Sequence, residues 1–236
     1  MAKIKFEDLI LYEDDNYIVI NKPSQVSSLN DRNEDINILK LAKNYTETPQ
    51  LCHRLDKDTT GALAIAKDPE AYRLLAIQFE ERKVKKVYHA IADGIHTFQN
   101  LTVNEPLGPG HKGKVKIDRN GKDSITIFDT LETFKIHSLL ECKPLTGRMH
   151  QIRVHLAHIG ASISGDETYG GKPLFLSHIK KRYNLGKWEE ESAIIRRTAL
   201  HAFSLGFNKT DGGKVEITAP YPKDFAVALK LLKKYE

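Results

Sequence analysis

The sequence predicts an α+β fold, with a largely antiparallel sheet and a few helices laid against it. Short apolar or alternating runs outnumber helical stripes. Most of them follow one another as hairpin arms do, separated by turn residues. No linker divides the 236 residues into autonomous domains, although a cleft in the sheet can still split a single domain into two lobes.

The elements follow in order along the chain. Tyr17-Ile18-Val19-Ile20 reads as a short buried strand, stopped by Asn21-Lys22-Pro23-Ser24. Residues Ser27 to Glu34 are polar and read as a loop. Ala62-Leu63-Ala64-Ile65-Ala66 is an apolar strand that follows Gly61. Asp68 is placed to cap a helix and Pro69 to occupy its first position, with Leu75 and Phe79 on one face. Lys86 to Ala92 returns to strand and ends at Asp93-Gly94. From Asn104 to Lys122 the chain is rich in Gly and Lys, as expected of a long hairpin or arm with a basic tip. Strands are expected at Ser124 to Thr130 and Ser138 to Cys142; Thr146-Gly147-Arg148 then leads into a helix that Gly160 stops. Leu200 to Phe207 and Lys214 to Thr218 read as two strands joined by a Gly-rich turn. A last helix begins near Pro222, with Phe225, Leu229 and Leu232 at helical spacing.

Composition narrows the function classes. Hydrophobic residues make up 40% and charged residues 28%, with a mean hydropathy of −0.43, as in globular proteins with a real core. There is no apolar run long enough for a bilayer and no signal-peptide core, so a cytoplasmic location is expected. Cys52 and Cys142 form no CxxC pair, which argues against a zinc ribbon or a disulfide framework. The net charge of +5 and a pI near 9.0 suit a polyanionic partner.

Two segments concentrate chemistry. His53-Arg54-Leu55-Asp56-Lys57-Asp58-Thr59-Thr60-Gly61 holds five ionisable groups in its first six residues, just before an apolar strand. A polar turn would use the same residue types, but Arg54 and Asp56 fall on the same side of an extended segment. The second segment runs from Thr146 to Gly160. At helical spacing Met149, Ile152, Leu156 and Ile159 form its apolar stripe, and Arg153 lies along it. A half-buried guanidinium needs a carboxylate partner, for which Asp56 is a natural candidate. His150, His155 and His158 invite a metal reading. However, His150 and His155 lie about 140° apart around a helix, and the spacing is not HExxH. No metal is expected, and these histidines are assigned to backbone groups or phosphates. Cys52-His53 is discounted as a nucleophile–base pair because adjacent strand residues face opposite ways.

Together these motifs resemble the RluA-type pseudouridine synthases. His53 to Gly61 is similar to the HRLDxxTSG signature, with Thr60 in place of Ser. Lys86 and Tyr88 match a K-x-Y motif, and Leu145 to Gly160 resembles LxTGRTHQIRVHLAHIG with Met149 in place of Thr. Gly165-Asp166 and Tyr169-Gly170 match GDxxYG, Leu200-His201-Ala202 a late LHA strand, and Tyr12 to Pro23 the opening segment. The motifs cover nearly the whole chain in the family's order. Gln25 stands where the family has Gly, and Ala161-Ser162-Ile163 replaces HPI.

The resemblance implies a single catalytic domain over residues 1–236, without an N-terminal S4-type domain. Its sheet would be mixed and mostly antiparallel, with a catalytic cleft across it. It implies an isomerase that needs neither cofactor nor metal and acts on structured RNA, ribosomal or transfer. It makes Asp56 the catalytic aspartate, Tyr88 the ring that stacks on the target base, and Arg153 the partner of Asp56. Arg54, His53, Thr60, Lys86, Arg148, His150 and Gln151 are the expected substrate-binding set. Rival readings are an inactive RNA-binding module, a nucleoside hydrolase using the same carboxylate, and a basic scaffold protein.

Overall fold

The computed structural model describes residues 4–29, 36–184 and 190–236; residues 30–34 of the loop expected at Ser27 to Glu34 lie outside them. In chain order the elements are β1 (Ile10–Glu13), β2 (Tyr17–Lys22), α1 (Ile38–Lys43), β3 (Gln50–Leu51), β4 (Thr60–Ala66), α2 (Pro69–Glu80), β5 (Lys85–Asp93), β6 (Leu101–Asn104), β7 (Leu107–Pro109), β8 (Val115–Ile117), β9 (Ile125–Thr133), β10 (His137–Pro144), α3 (Gln151–His158), α4 (Leu176–Ile179), β11 (Leu200–Asn208), β12 (Lys214–Thr218) and α5 (Lys223–Lys234). The fold is α+β with a mixed, mostly antiparallel sheet, as the sequence predicts. The chain forms two compact units. The first comprises Met1–Val87 and His201–Pro220, the second Tyr88–Leu200 and Tyr221–Glu236.

In the first unit β2 pairs antiparallel with β1 and with β4, in a register running from Tyr17 opposite Ala66 to Lys22 opposite Gly61. β3 also pairs with β4, and β12 with β11. The β4–β11 pairing is parallel, His201 opposite Thr60. Every residue of β4 is buried, which explains its unbroken apolar sequence. Gly61 has φ +110°, and a Cβ there would come within 2.2 Å of the Ala202 carbonyl oxygen, so only glycine fits the β4–β11 approach. Asp68 caps α2 by accepting the Ala71 N–H at 2.9 Å, and Pro69 opens the helix, as its sequence requires. The unit's core joins Tyr17, Val19, Ala64, Leu75, Leu205 and Phe207.

In the second unit β5, β10, β9 and β6 lie side by side in that order, each neighbouring pair antiparallel. The Gly- and Lys-rich segment does form a hairpin, with Leu107 opposite Ile117 and Pro109 opposite Val115. Helix α5 buries Phe225, Ala228 and Leu232, with Leu229 partly buried against the same core. Thr146-Gly147-Arg148 leads into helix α3, which starts at Gln151. Its apolar stripe is shorter than the spacing suggests: Ile152 and Leu156 are buried, while Met149 lies before the helix and is 48% exposed.

Candidate active site

The segment with Asp56 is anchored from beneath. Lys22 is fully buried, and its ammonium donates to the carbonyl oxygens of Pro23 (2.8 Å), Val26 (2.7 Å) and Lys57 (3.0 Å). A buried ammonium is tolerated only when its protons are satisfied in this way. Ser28 adds a reciprocal clasp: its hydroxyl accepts the Leu55 N–H at 3.1 Å and donates to the Leu55 carbonyl at 2.8 Å. Leu55 is buried between exposed Arg54 and half-buried Asp56, and the Thr59 N–H donates to the Asp56 carbonyl in a turn that leads into β4. Gln25 has φ 63°, the left-handed region, which gives a physical reason for the glycine that the family carries there. Its amide donates to Asp58 at 2.6 Å.

Two other predicted residues of this segment serve the protein itself. His53 Nε2 accepts the Ala64 N–H at 3.0 Å, and its ring stacks on Phe79 with centroids 4.7 Å apart. Burial, with the charge of Lys86 behind it, pushes His53 down to about 3, so the ring is neutral and its Nδ1 carries the proton. Thr60 is buried, and its hydroxyl lies 2.8 Å from His201 Nδ1. The His201 Nε2–H is directed at the Ala219 carbonyl (3.1 Å), so Thr60 is the donor to Nδ1. Lys86 lies on β5 with its ammonium pushed down to about 8 by burial.

In the second unit, Tyr88 stands on β5 opposite Cys142, with its ring partly buried against the core of β10 and α3. Arg153 forms a two-pronged ion pair with Asp166, Nε to Oδ2 at 2.6 Å and Nη2 to Oδ1 at 2.8 Å. Its guanidinium also lies 5.0 Å from the centroid of the Tyr169 ring. Asp166 thus supplies one carboxylate to this guanidinium. Asp56 belongs to the first unit, Tyr88 and Arg153 to the second.

Around α3 the remaining predicted residues separate into two kinds. Arg148 is exposed, and its Nε donates to the Asp123 carbonyl at 3.1 Å. Gln151 is buried. Its amide oxygen accepts from the Thr146 hydroxyl (2.7 Å) and the Arg148 N–H (3.0 Å), and its amide nitrogen donates to the Ile125 carbonyl (2.9 Å) and the Thr126 hydroxyl (3.0 Å). Its hydrogen-bonding capacity is thereby met inside the protein. His150 precedes the helix in the left-handed conformation (φ 54°), with Nδ1 2.8 Å from the Tyr169 hydroxyl. His155 is buried between the Thr126 hydroxyl (2.9 Å) and the Glu105 carbonyl (3.0 Å), in line with the backbone role expected of it. Among the described residues no group of three or more His, Cys, Asp or Glu is placed to hold a metal, and no helix is long and apolar enough to cross a membrane.

Lys22 braces the turn at Asp56, and Asp166 and Tyr169 hold Arg153, yet motif reading gives them no task. The signal present in the sequence is their place in the opening segment and in GDxxYG.

Residues 16–158 match the family model described as RNA pseudouridylate synthase. The chain belongs to the RNA pseudouridylate synthase family. Its relatives place it in the RluA-type branch. The ribosomal large subunit pseudouridine synthase C of Buchnera aphidicola (subsp. Baizongia pistaciae) is 37% identical over 237 residues, covering 97% of this chain and 72% of the relative. The ribosomal large subunit pseudouridine synthase D of Salmonella typhimurium is 36% identical over 228 residues, covering 91% and 67%. Among solved structures, human RNA pseudouridylate synthase domain containing 4 superposes with a TM-score of 0.72 at 26% identity, covering 97% of this chain and 95% of that one. The protein is therefore an isomerase of the pseudouridine synthase class, with RNA as its substrate.

Proposed function

We propose that this pseudouridine synthase converts a specific uridine of ribosomal RNA, and that Asp56 is its catalytic carboxylate. The observation that carries the reading is the turn at Asp56. A buried lysine and a serine clasp fix its backbone, while Asp56 itself is only partly buried. Such a braced, reachable carboxylate suits a nucleophile or base better than a surface turn does. The names of the relatives quoted above support ribosomal RNA as the target.

The reaction breaks the uridine N1–C1′ bond, turns the base and joins C5 to C1′. The proton lost from C5 is balanced by one gained at N1, so no redox change occurs. Asp56 can attack C1′ or the base, or remove the C2′ proton; both routes need it ionised beside the ribose. The base must leave its stack to be reached. We assign Tyr88 to hold it, a contact worth roughly 1–3 kcal/mol per base in comparable sites. Arg153, already fixed by Asp166, is assigned to orient Asp56, and both units act as one catalytic domain. Arg54, Lys86 and Arg148 are assigned to phosphates. His53, Thr60 and Gln151 are assigned to positioning, because their polar atoms serve the protein's own backbone and side chains. His150 is assigned to the start of α3. The β7–β8 arm and the Lys181–Arg182 stretch grip the RNA; Lys180 lies over the rings of Tyr183 (5.8 Å) and Tyr235 (5.9 Å). A cytoplasmic location suits two thiols outside any disulfide, of which Cys142 is buried.

The test is release of tritium from RNA carrying 5-tritiated uridine. The natural protein releases it and Asp56→Asn does not; normal turnover by Asp56→Asn ends the assignment. Mapping pseudouridines in cells with and without the gene identifies the target, and a lost site in transfer RNA instead of ribosomal RNA overturns the substrate assignment. Free uracil among the products would mark a hydrolase.

A further inference from the structure

The apolar packing around Tyr169 calls only for a ring. That ring packs against the cluster of Leu107, Val115 and Val154, which joins the β7–β8 arm to α3. Its hydroxyl does more. It accepts the N–H of Val115, the first residue of β8, at 3.0 Å and lies 2.8 Å from His150 Nδ1. Val115 and His150 are thus both hydrogen-bond partners of the one phenolic oxygen. His150 is a left-handed residue with a Cβ, a conformation that needs outside support. Its carbonyl accepts the Val154 N–H at 2.9 Å and so opens the helix on which Arg153 stands.

The same tyrosine reaches Arg153 directly, since the guanidinium lies over its ring. The Tyr169 N–H donates to the Asp166 carbonyl at 3.1 Å, while the Asp166 carboxylate holds Arg153. Arg153, Asp166 and Tyr169 therefore form a closed set, and the phenolic hydroxyl extends that set toward the arm.

We propose that Tyr169 is a positioning residue that couples the β7–β8 arm to Arg153, so that the grip of the arm on RNA is matched to the setting of the catalytic guanidinium. The proposal builds on the roles assigned above to the arm and to Arg153. Tyr169→Phe keeps the ring beneath Arg153 and removes the tie to Val115 and His150. Tyr169→Leu removes both.

Two measurements test this. The first is hydrogen exchange at the Val115 amide without RNA. It is expected to quicken about three- to tenfold in Tyr169→Phe, the range that one net hydrogen bond supports. Unchanged exchange overturns the proposal whatever the protein's activity. The second is steady-state kinetics on the RNA that the natural protein modifies. In Tyr169→Phe, KM is expected to rise by a larger factor than kcat falls, whereas Tyr169→Leu lowers kcat strongly as well. Equal losses of kcat in both variants with KM unchanged mean a merely structural tyrosine and overturn the coupling. A natural protein that modifies no RNA at all refutes the functional reading instead, and the exchange result still decides whether the hydroxyl ties the arm.

Discussion

Asp166 meets Arg153 with both carboxylate oxygens, at 2.6 and 2.8 Å, in a pair whose side chains are only 1% and 11% exposed. Removing one partner of such a pair takes a doubly hydrogen-bonded counter-charge from a largely buried position. Asp166→Ala is expected to destabilise the protein by about 3–5 kcal/mol. Thermal unfolding should report this as a drop of roughly 6–20 °C for a chain of this size. Asp166→Glu should recover some of the loss. An unchanged melting temperature in Asp166→Ala would show that the guanidinium is already satisfied elsewhere.

Gln25 holds a left-handed backbone that a glycine adopts freely. Comparing Gln25→Gly with Gln25→Ala isolates that conformation, because both lose the amide contact to Asp58. The glycine variant is expected to be the more stable by about 1 kcal/mol. Urea unfolding of the two measures the difference, and an alanine variant of equal stability would contradict the backbone argument.

His53 sits far below its ordinary value of 6.5, at about 3, because burial and then the Lys86 charge disfavour its protonated form. Between those two values the unfolded chain binds a proton that the folded chain refuses. His53 therefore contributes stability that is complete above pH 6.5 and lost progressively as pH falls toward 3. Replacing it with Gln should flatten that region of the stability–pH curve, which denaturant titrations at several pH values will show. A curve of the same slope in both proteins would refute the assignment.

Lys86 loses its charge earlier than an exposed lysine, since burial pushes it down to about 8. If it meets a phosphate, RNA affinity must fall as pH rises through that value. Between pH 7 and 9 the dissociation constant is expected to rise about fivefold, on the order of one phosphate contact. Lys86→Arg keeps its charge over this range and should bind with a flat profile. Fluorescence anisotropy with a labelled RNA fragment measures both.

Much of this architecture is legible in the residues. Asp68 and Pro69 announce α2, the unbroken apolar run of β4 matches its complete burial, and the spacing of Phe225 and Leu232 matches the buried face of α5. Helix α1 is not legible. It is six residues long, buries only Ile38 and Ala42, and its cap Asn37 follows a polar stretch that reads as loop. Met149 leaves the apolar stripe expected of it because the amide of Gln151 and the left-handed His150 hold the preceding turn outside the helix. At the site, Arg153 visibly needs an anion. Asp166, which supplies one, lies thirteen residues away, beyond the helix, where spacing along a helix gives no guidance. The hydrogen bonds that occupy Thr60 and Gln151 internally are invisible for the same reason. A polar side chain beside a motif looks the same in sequence whether it faces substrate or backbone.

The Lys22 ammonium joins three main-chain oxygens, two just after β2 and one on the turn beside Asp56. None of these acceptors depends on which side chain its residue carries. Neighbouring positions such as Gln25 and Lys57 can therefore change side chain while a single cation keeps the path of the chain past Asp56.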